Sequence, residues 1–170
     1  GNGGYNIDNQ RDGNVTVAAK GAAVTDGIVM KGGDVGTHSG AMIGNGGYEN
    51  VTTVNGFTKV DVTNGGLSMA GGDGRYANVG IGHSNRGGTT ASNGAIDLTV
   101  TGGDIKLTAN DSTAGYFSHA RIGHGGWDSG NKTGAINVTA TDGNILVQGG
   151  QGDTSSSRYN FAQIGHGGYG

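Results

Sequence analysis

Cysteine and proline are both missing from the 170 residues. Without cysteine, neither a disulfide framework nor a thiolate metal site holds the chain together. Proline cannot donate a ladder hydrogen bond, so its absence suits a chain whose strands are paired on both sides. Charge is scarce as well. Ten Lys and Arg against thirteen Asp and Glu give a net charge of −3, too thin and too acidic for a nucleic-acid partner. No apolar run approaches the roughly 18 to 20 residues of a membrane span, and no segment of useful length repeats with helical period. Glu49 is the only Glu, the Asp residues sit mostly in turns, and no carboxylate pair recurs off-period as a catalytic groove would require. Gly130-Asn131-Lys132-Thr133 lacks the spacing of a phosphate loop. The chain is therefore expected not to be an enzyme.

What the chain has is glycine, 40 residues against a usual share of about 7%. These glycines lack the Gly-X-Y period of collagen and gather instead in a returning motif. It reads Ile43-Gly44-Asn45-Gly46-Gly47-Tyr48, then Ile122-Gly123-His124-Gly125-Gly126-Trp127, then Ile164-Gly165-His166-Gly167-Gly168-Tyr169. A degenerate copy stands at Ile81-Gly82-His83, and a truncated one at Gly1-Asn2-Gly3-Gly4-Tyr5. From first Gly to first Gly the steps are 43, 38, 41 and 42 residues. Four units of about 41 residues follow, approximately 1–43, 44–81, 82–122 and 123–164. The chain starts and ends inside the motif, as a window cut from a longer array would.

Each unit carries three short apolar runs. Val15-Thr16-Val17, Val60-Asp61-Val62-Thr63, Ile96-Asp97-Leu98-Thr99-Val100 and Ile136-Asn137-Val138-Thr139-Ala140 alternate with period two, as half-buried strands do. After a Gly-rich turn come Ile28-Val29-Met30, Leu67-Ser68-Met69, Ile105-Lys106-Leu107 and Ile145-Leu146-Val147. The third run enters the motif as Ala41-Met42-Ile43, Ala120-Arg121-Ile122 and Ala162-Gln163-Ile164, with Tyr76, Tyr116 and Tyr159 upstream. Ala and Ile are expected inward, and Met, Arg and Gln outward. Three inward-facing strands at one period predict an all-β fold, a right-handed parallel β-helix or β-solenoid in which each strand pairs with its counterpart in the next copy. The spacing leaves open one wide coil of about 41 residues or two of about 20; each strand type occurring once per unit favours one.

The stretch from Gly94 to Ala109, Gly-Ala-Ile-Asp-Leu-Thr-Val-Thr-Gly-Gly-Asp-Ile-Lys-Leu-Thr-Ala, with Tyr159 to Gly168 one unit later, resembles the repeat region of large bacterial haemagglutinin-type adhesins. Those proteins leave the cell by two-partner or autotransporter routes and form right-handed parallel β-helices on its surface. The resemblance implies an extracellular shaft or filament body. The copy Gly80-Ile81-Gly82-His83-Ser84-Asn85-Arg86-Gly87-Gly88 departs from the pattern, with an insertion and no aromatic.

Stacking would set His83, His124 and His166 in a column about 4.8 Å apart with one coil per repeat, and about twice that with two. A metal column or a pH-sensitive ladder is one reading. Asn2 and Asn45 hold the same position, however, and no second ligand recurs beside it, so a side chain that satisfies backbone groups at a glycine corner is the favoured reading. No metal or cofactor is expected beyond adventitious calcium on loop carboxylates. His38 and His119 show no equivalents in sequence. Tyr5, Tyr48, Trp127 and Tyr169 are candidates for stacking between coils or on a polysaccharide or cell-surface glycan. The outward Thr residues are interrupted by Asp61, Asp97, Asn137 and Lys106, which argues against an ice-binding lattice. Together these features predict a structural fibre shaft that assembles with itself, with a carbohydrate- or matrix-binding module as the alternative.

Overall fold

The computed structural model describes residues 11–21, 27–48, 53–110, 117–150 and 159–167, and among these every regular element is a β-strand. No helix among them is long and apolar enough to cross a membrane. Three ladders carry the apolar runs. The first joins β2 (Val15–Lys20), β7 (Thr58–Thr63), β11 (Ile96–Thr101) and β15 (Ile136–Thr141). The second joins β3 (Ile28–Lys31), β8 (Leu67–Ala70), β12 (Ile105–Thr108) and β16 (Ile145–Gln148). The third joins β4 (Ala41–Ile43), β9 (Val79–Ile81), β13 (Ala120–Ile122) and β17 (Ala162–Ile164). All pairings in them are parallel and in register.

Val15 lies opposite Thr58, Thr58 opposite Ile96 and Ile96 opposite Ile136, each partner one sequence repeat further on. One turn of the chain thus takes a whole repeat rather than half of one, because each strand pairs directly with its counterpart in the next unit. The register also moves one boundary. The run that begins at Val60 in sequence begins two residues earlier, with Thr58 on the inward row of Val15, Ile96 and Ile136. A Thr there looks polar in the alternating pattern, although it is fully buried.

The core is a single cluster fed by these three ladders. It includes Val60, Val62, Leu67, Met69, Val79, Ile81, Ile96, Leu98, Val100, Ile105, Leu107 and Ile122. Each fully buried Ile or Leu contributes about 1.5–3 kcal/mol, and stacking like upon like extends those contacts along the ladder.

A fourth ladder was not expected from the three apolar runs. It is made by β1 (Arg11–Asp12), β5 (Gly46–Tyr48), β6 (Thr53–Asn55), β10 (Ser84–Asn93) and β14 (Gly125–Thr133). β10 pairs with β5 and β6 on one side and β14 on the other, all parallel. Between Arg86 and Thr89 it takes one more residue than β14 takes between Trp127 and Ser129. This bulge absorbs the insertion of the degenerate copy without breaking the pairing beyond it. None of the described side chains of these strands belongs to the main core cluster.

Candidate functional site

The motif stands where the third ladder turns into the fourth. Gly44-Asn45 leads from β4 to β5, Gly82-His83 from β9 to β10, and Gly123-His124 from β13 to β14, while Gly165-His166 follows β17. The first glycine takes a φ of 150°, 119°, 152° and 149° in the four copies. A Cβ on Gly44 or Gly123 would overlap the carbonyl oxygen of Gly82 or Gly165 in the adjacent coil. Backbone conformation and close coil contact both demand glycine here.

That turn takes the next backbone N–H off the strand ladder, and a ring from the following coil receives it. Asn45 N–H donates to His83 Nδ1 at 3.1 Å, His83 N–H to His124 Nδ1 at 2.9 Å, and His124 N–H to His166 Nδ1 at 3.1 Å. Each ring uses its other nitrogen within its own coil. Nε2–H of His83, His124 and His166 donates to the carbonyls of Gly56, Gly94 and Gly134 at 2.7, 2.7 and 2.8 Å. Because a carbonyl only accepts, the proton is on Nε2 and Nδ1 is bare. The imidazole is thus a strut across the coil that also ties it to the coil before. Asn45 does the equivalent work in its copy, donating from Nδ2 to the carbonyl of Gly13 and, at 3.4 Å, to that of Asn55.

The rings stack with centroids 4.6 and 4.8 Å apart. His83 and His124 are fully buried. Burial pushes His83 down from its ordinary value, opposed by its bond to Gly56. His124 is pushed down to about 4, chiefly by burial; the Gly94 bond opposes this, and His83, His166 and Arg121 add to it. With both nitrogens of each ring engaged, the column has no lone pair to offer a metal. No group of three or more metal-ligating side chains forms among the described residues.

Arg121 points away from the core cluster, as the alternation implied, yet it is only 1% exposed. At this copy the motif folds back over the outer face of the third ladder and covers Arg121, whereas Met42 on the same face stays 40% exposed. Nη1 donates to the Gly167 carbonyl at 3.1 Å and Nη2 to Ser84 Oγ at 3.3 Å, while Nε has no partner. Burial lowers this guanidinium to about 10, so it stays charged at neutral pH. The position opposite in the preceding coil is Gly80, and the residue facing it in that coil's motif is Ser84, where the other copies have Gly46 and Gly125. Where one position lacks a side chain, its neighbour supplies one.

A second ring column lies just ahead of the third ladder, and sequence spacing alone did not align it. His38, Tyr76, Phe117 and Tyr159 stack in order with centroids 4.8, 5.1 and 4.5 Å apart. All four have positive φ, 59° to 63°. Phe117, rather than Tyr116, is the counterpart of Tyr76 and Tyr159; Tyr116 lies outside the described residues. His38, without an equivalent in sequence, heads this column. His119 has one too, stacking on Phe161 at 4.6 Å.

Of the aromatics that follow the paired glycines, Tyr5 and Tyr169 lie outside the described residues, as do Gly168 and Asn2. Backbone register places Tyr48 opposite Arg86 and Arg86 opposite Trp127, so a cationic residue interrupts that row. Gly47 and Gly126 sit one residue earlier, both opposite Asn85. Comparison with family models, with curated proteins and with solved structures finds no match.

Proposed function

We propose that this chain is a non-catalytic structural segment, the shaft of an extracellular bacterial fibre, built of four right-handed repeats and extended by end-to-end stacking. One observation carries this reading: like stacks on like. Val17, Val60, Leu98 and Val138 share one row, and Ile28, Leu67, Ile105 and Ile145 another, each joined by unbroken parallel ladders. A fold made in this way has an axis along which it lengthens, and its function resides in length and stiffness rather than in a pocket.

Beyond the coil of β15 and β16 the inward rows are open to a further coil, of this chain or of another copy. Ile145 and Val147 are 45% and 47% exposed, whereas Ile105 and Leu107 on the same rows are fully buried. These side chains face along a core that another coil would continue, and parallel strand edges pair readily with a matching partner. The resemblance of Gly94 to Ala109 to haemagglutinin-type repeats supports the placement on a bacterial surface. The right-handed sense follows the general bias of parallel crossover connections.

Helical reconstruction from electron cryomicrographs of the purified protein tests the proposal. Continuous fibres with an axial repeat near ~4.8 Å and one unit per coil are expected. Discrete particles of fixed length at high protein concentration would overturn end-to-end growth.

A further inference from the structure

The histidine struts are made of a titratable group used in a form that holds no extra proton. Nδ1 of His83, His124 and His166 each receives a backbone N–H from the coil before, and Nε2–H of each is spent on a corner carbonyl of its own coil. A proton added to Nδ1 would point at a donor about 3 Å away, so the inter-coil bond would be replaced by a donor–donor contact. Neighbouring rings stand 4.6 and 4.8 Å apart, so a second added proton would meet the first across the stack.

We propose that these three rings form a proton-controlled latch between successive coils, closed while every Nδ1 is bare and released when acid protonates it. The surroundings offer the added charge little relief. Arg121 of β13 acts on His124 as a like charge. Behind the corner glycines, Asn55, Asn93 and Thr133 form a neutral ladder whose far end is Asp12, bonded to Asn55. Lys132 of β14 donates to the Gly130 carbonyl.

The direction of the effect follows from linkage. Folding lowers the affinity of His83 and His124 for a proton, so the unfolded chain takes up protons first as the pH falls. The stability contributed by His83 and His124 is complete above about pH 6.5, the ordinary imidazole value, and is lost as the pH falls, down to about pH 4 at His124. For that ring the folded-to-unfolded ratio drops on the order of a hundredfold. Asn45 occupies the same motif position and makes the same kind of corner bond without a titrating group.

That natural rung supplies the test. The triple variant His83→Asn, His124→Asn, His166→Asn removes only the three rings of the column and keeps every carboxylate, His38 and His119. Acid titration followed by far-UV circular dichroism should show the native chain losing its β signal at a pH higher than the triple variant does, by on the order of one pH unit. Coincident curves would assign acid sensitivity to other groups, the buried His119 or the carboxylates, and overturn the latch. Nitrogen-15 imidazole spectra of the native chain give an independent reading that does not depend on the variant folding. Nε2–H tautomers are expected at all three rings, with His83 and His124 neutral below the ordinary imidazole range; Nδ1–H tautomers, or His83 and His124 titrating near the ordinary ~6.5, would overturn the proposal.

Discussion

Thr58 shows how much one side chain can cost inside a solenoid. It stands on the inward row of Val15, Ile96 and Ile136, fully buried, and its Oγ1 has no hydrogen-bond partner. A buried unpaired hydroxyl costs about 1–3 kcal/mol. Thr58→Val keeps the shape and removes the polar atom, so it should raise the unfolding free energy by about 1 kcal/mol, measured by urea denaturation. Thr58→Ala should not, because it also removes a packed methyl group. Arg121 is the opposite case, a buried cation kept in place by Gly167 and Ser84. Alternation in the sequence points it outward, and that much is right for the third ladder taken alone. It is buried because the motif folds back over that face, a contact between segments that no local pattern contains.

Among the elements, the ring column of His38, Tyr76, Phe117 and Tyr159 and the fourth ladder were the least legible. Positive φ in a bulky residue costs about 1–3 kcal/mol, and here four such residues share it. Ring-on-ring contact along the axis offsets that cost. Phe117, 4% exposed and stacked on both sides, carries the middle of the column. Phe117→Ala should destabilise the chain by about 3–5 kcal/mol, read from the denaturant midpoint, since it removes the stack and keeps the strained backbone. The fourth ladder escaped notice because Ser84–Asn93 and Gly125–Thr133 lack apolar alternation. Its strands pair with one another beside the main core cluster, and pairing across a whole repeat leaves little local trace.

At the scale of the whole molecule, the open rows of β16 make the proposed growth testable. Val147→Asp places a charge on a row that is buried in the coil before and half-exposed here. Burial of an unpaired carboxylate in a joint between copies is costly. If growth is end to end, fibres of this variant should be much shorter in negative-stain micrographs, with an unchanged far-UV circular dichroism spectrum. Equal fibre lengths would place the joint elsewhere.

The glycine motif and its spacing determined the unit, and the period-two runs determined that the unit is built of strands whose Val, Ile and Leu face inward. These are local properties, fixed by backbone freedom and side-chain alternation. The tertiary structure decided the rest: one coil to each repeat, Thr58 rather than Val60 at the start of a strand, a fourth ladder, a buried Arg121, and Phe117 in the ring column. It also decided the tautomer of the histidines, because the N–H that fills each Nδ1 and the carbonyl that takes each Nε2–H come from residues 27 to 42 positions away. Register between coils sets these contacts, and register depends on how whole units stack, which a single unit cannot specify.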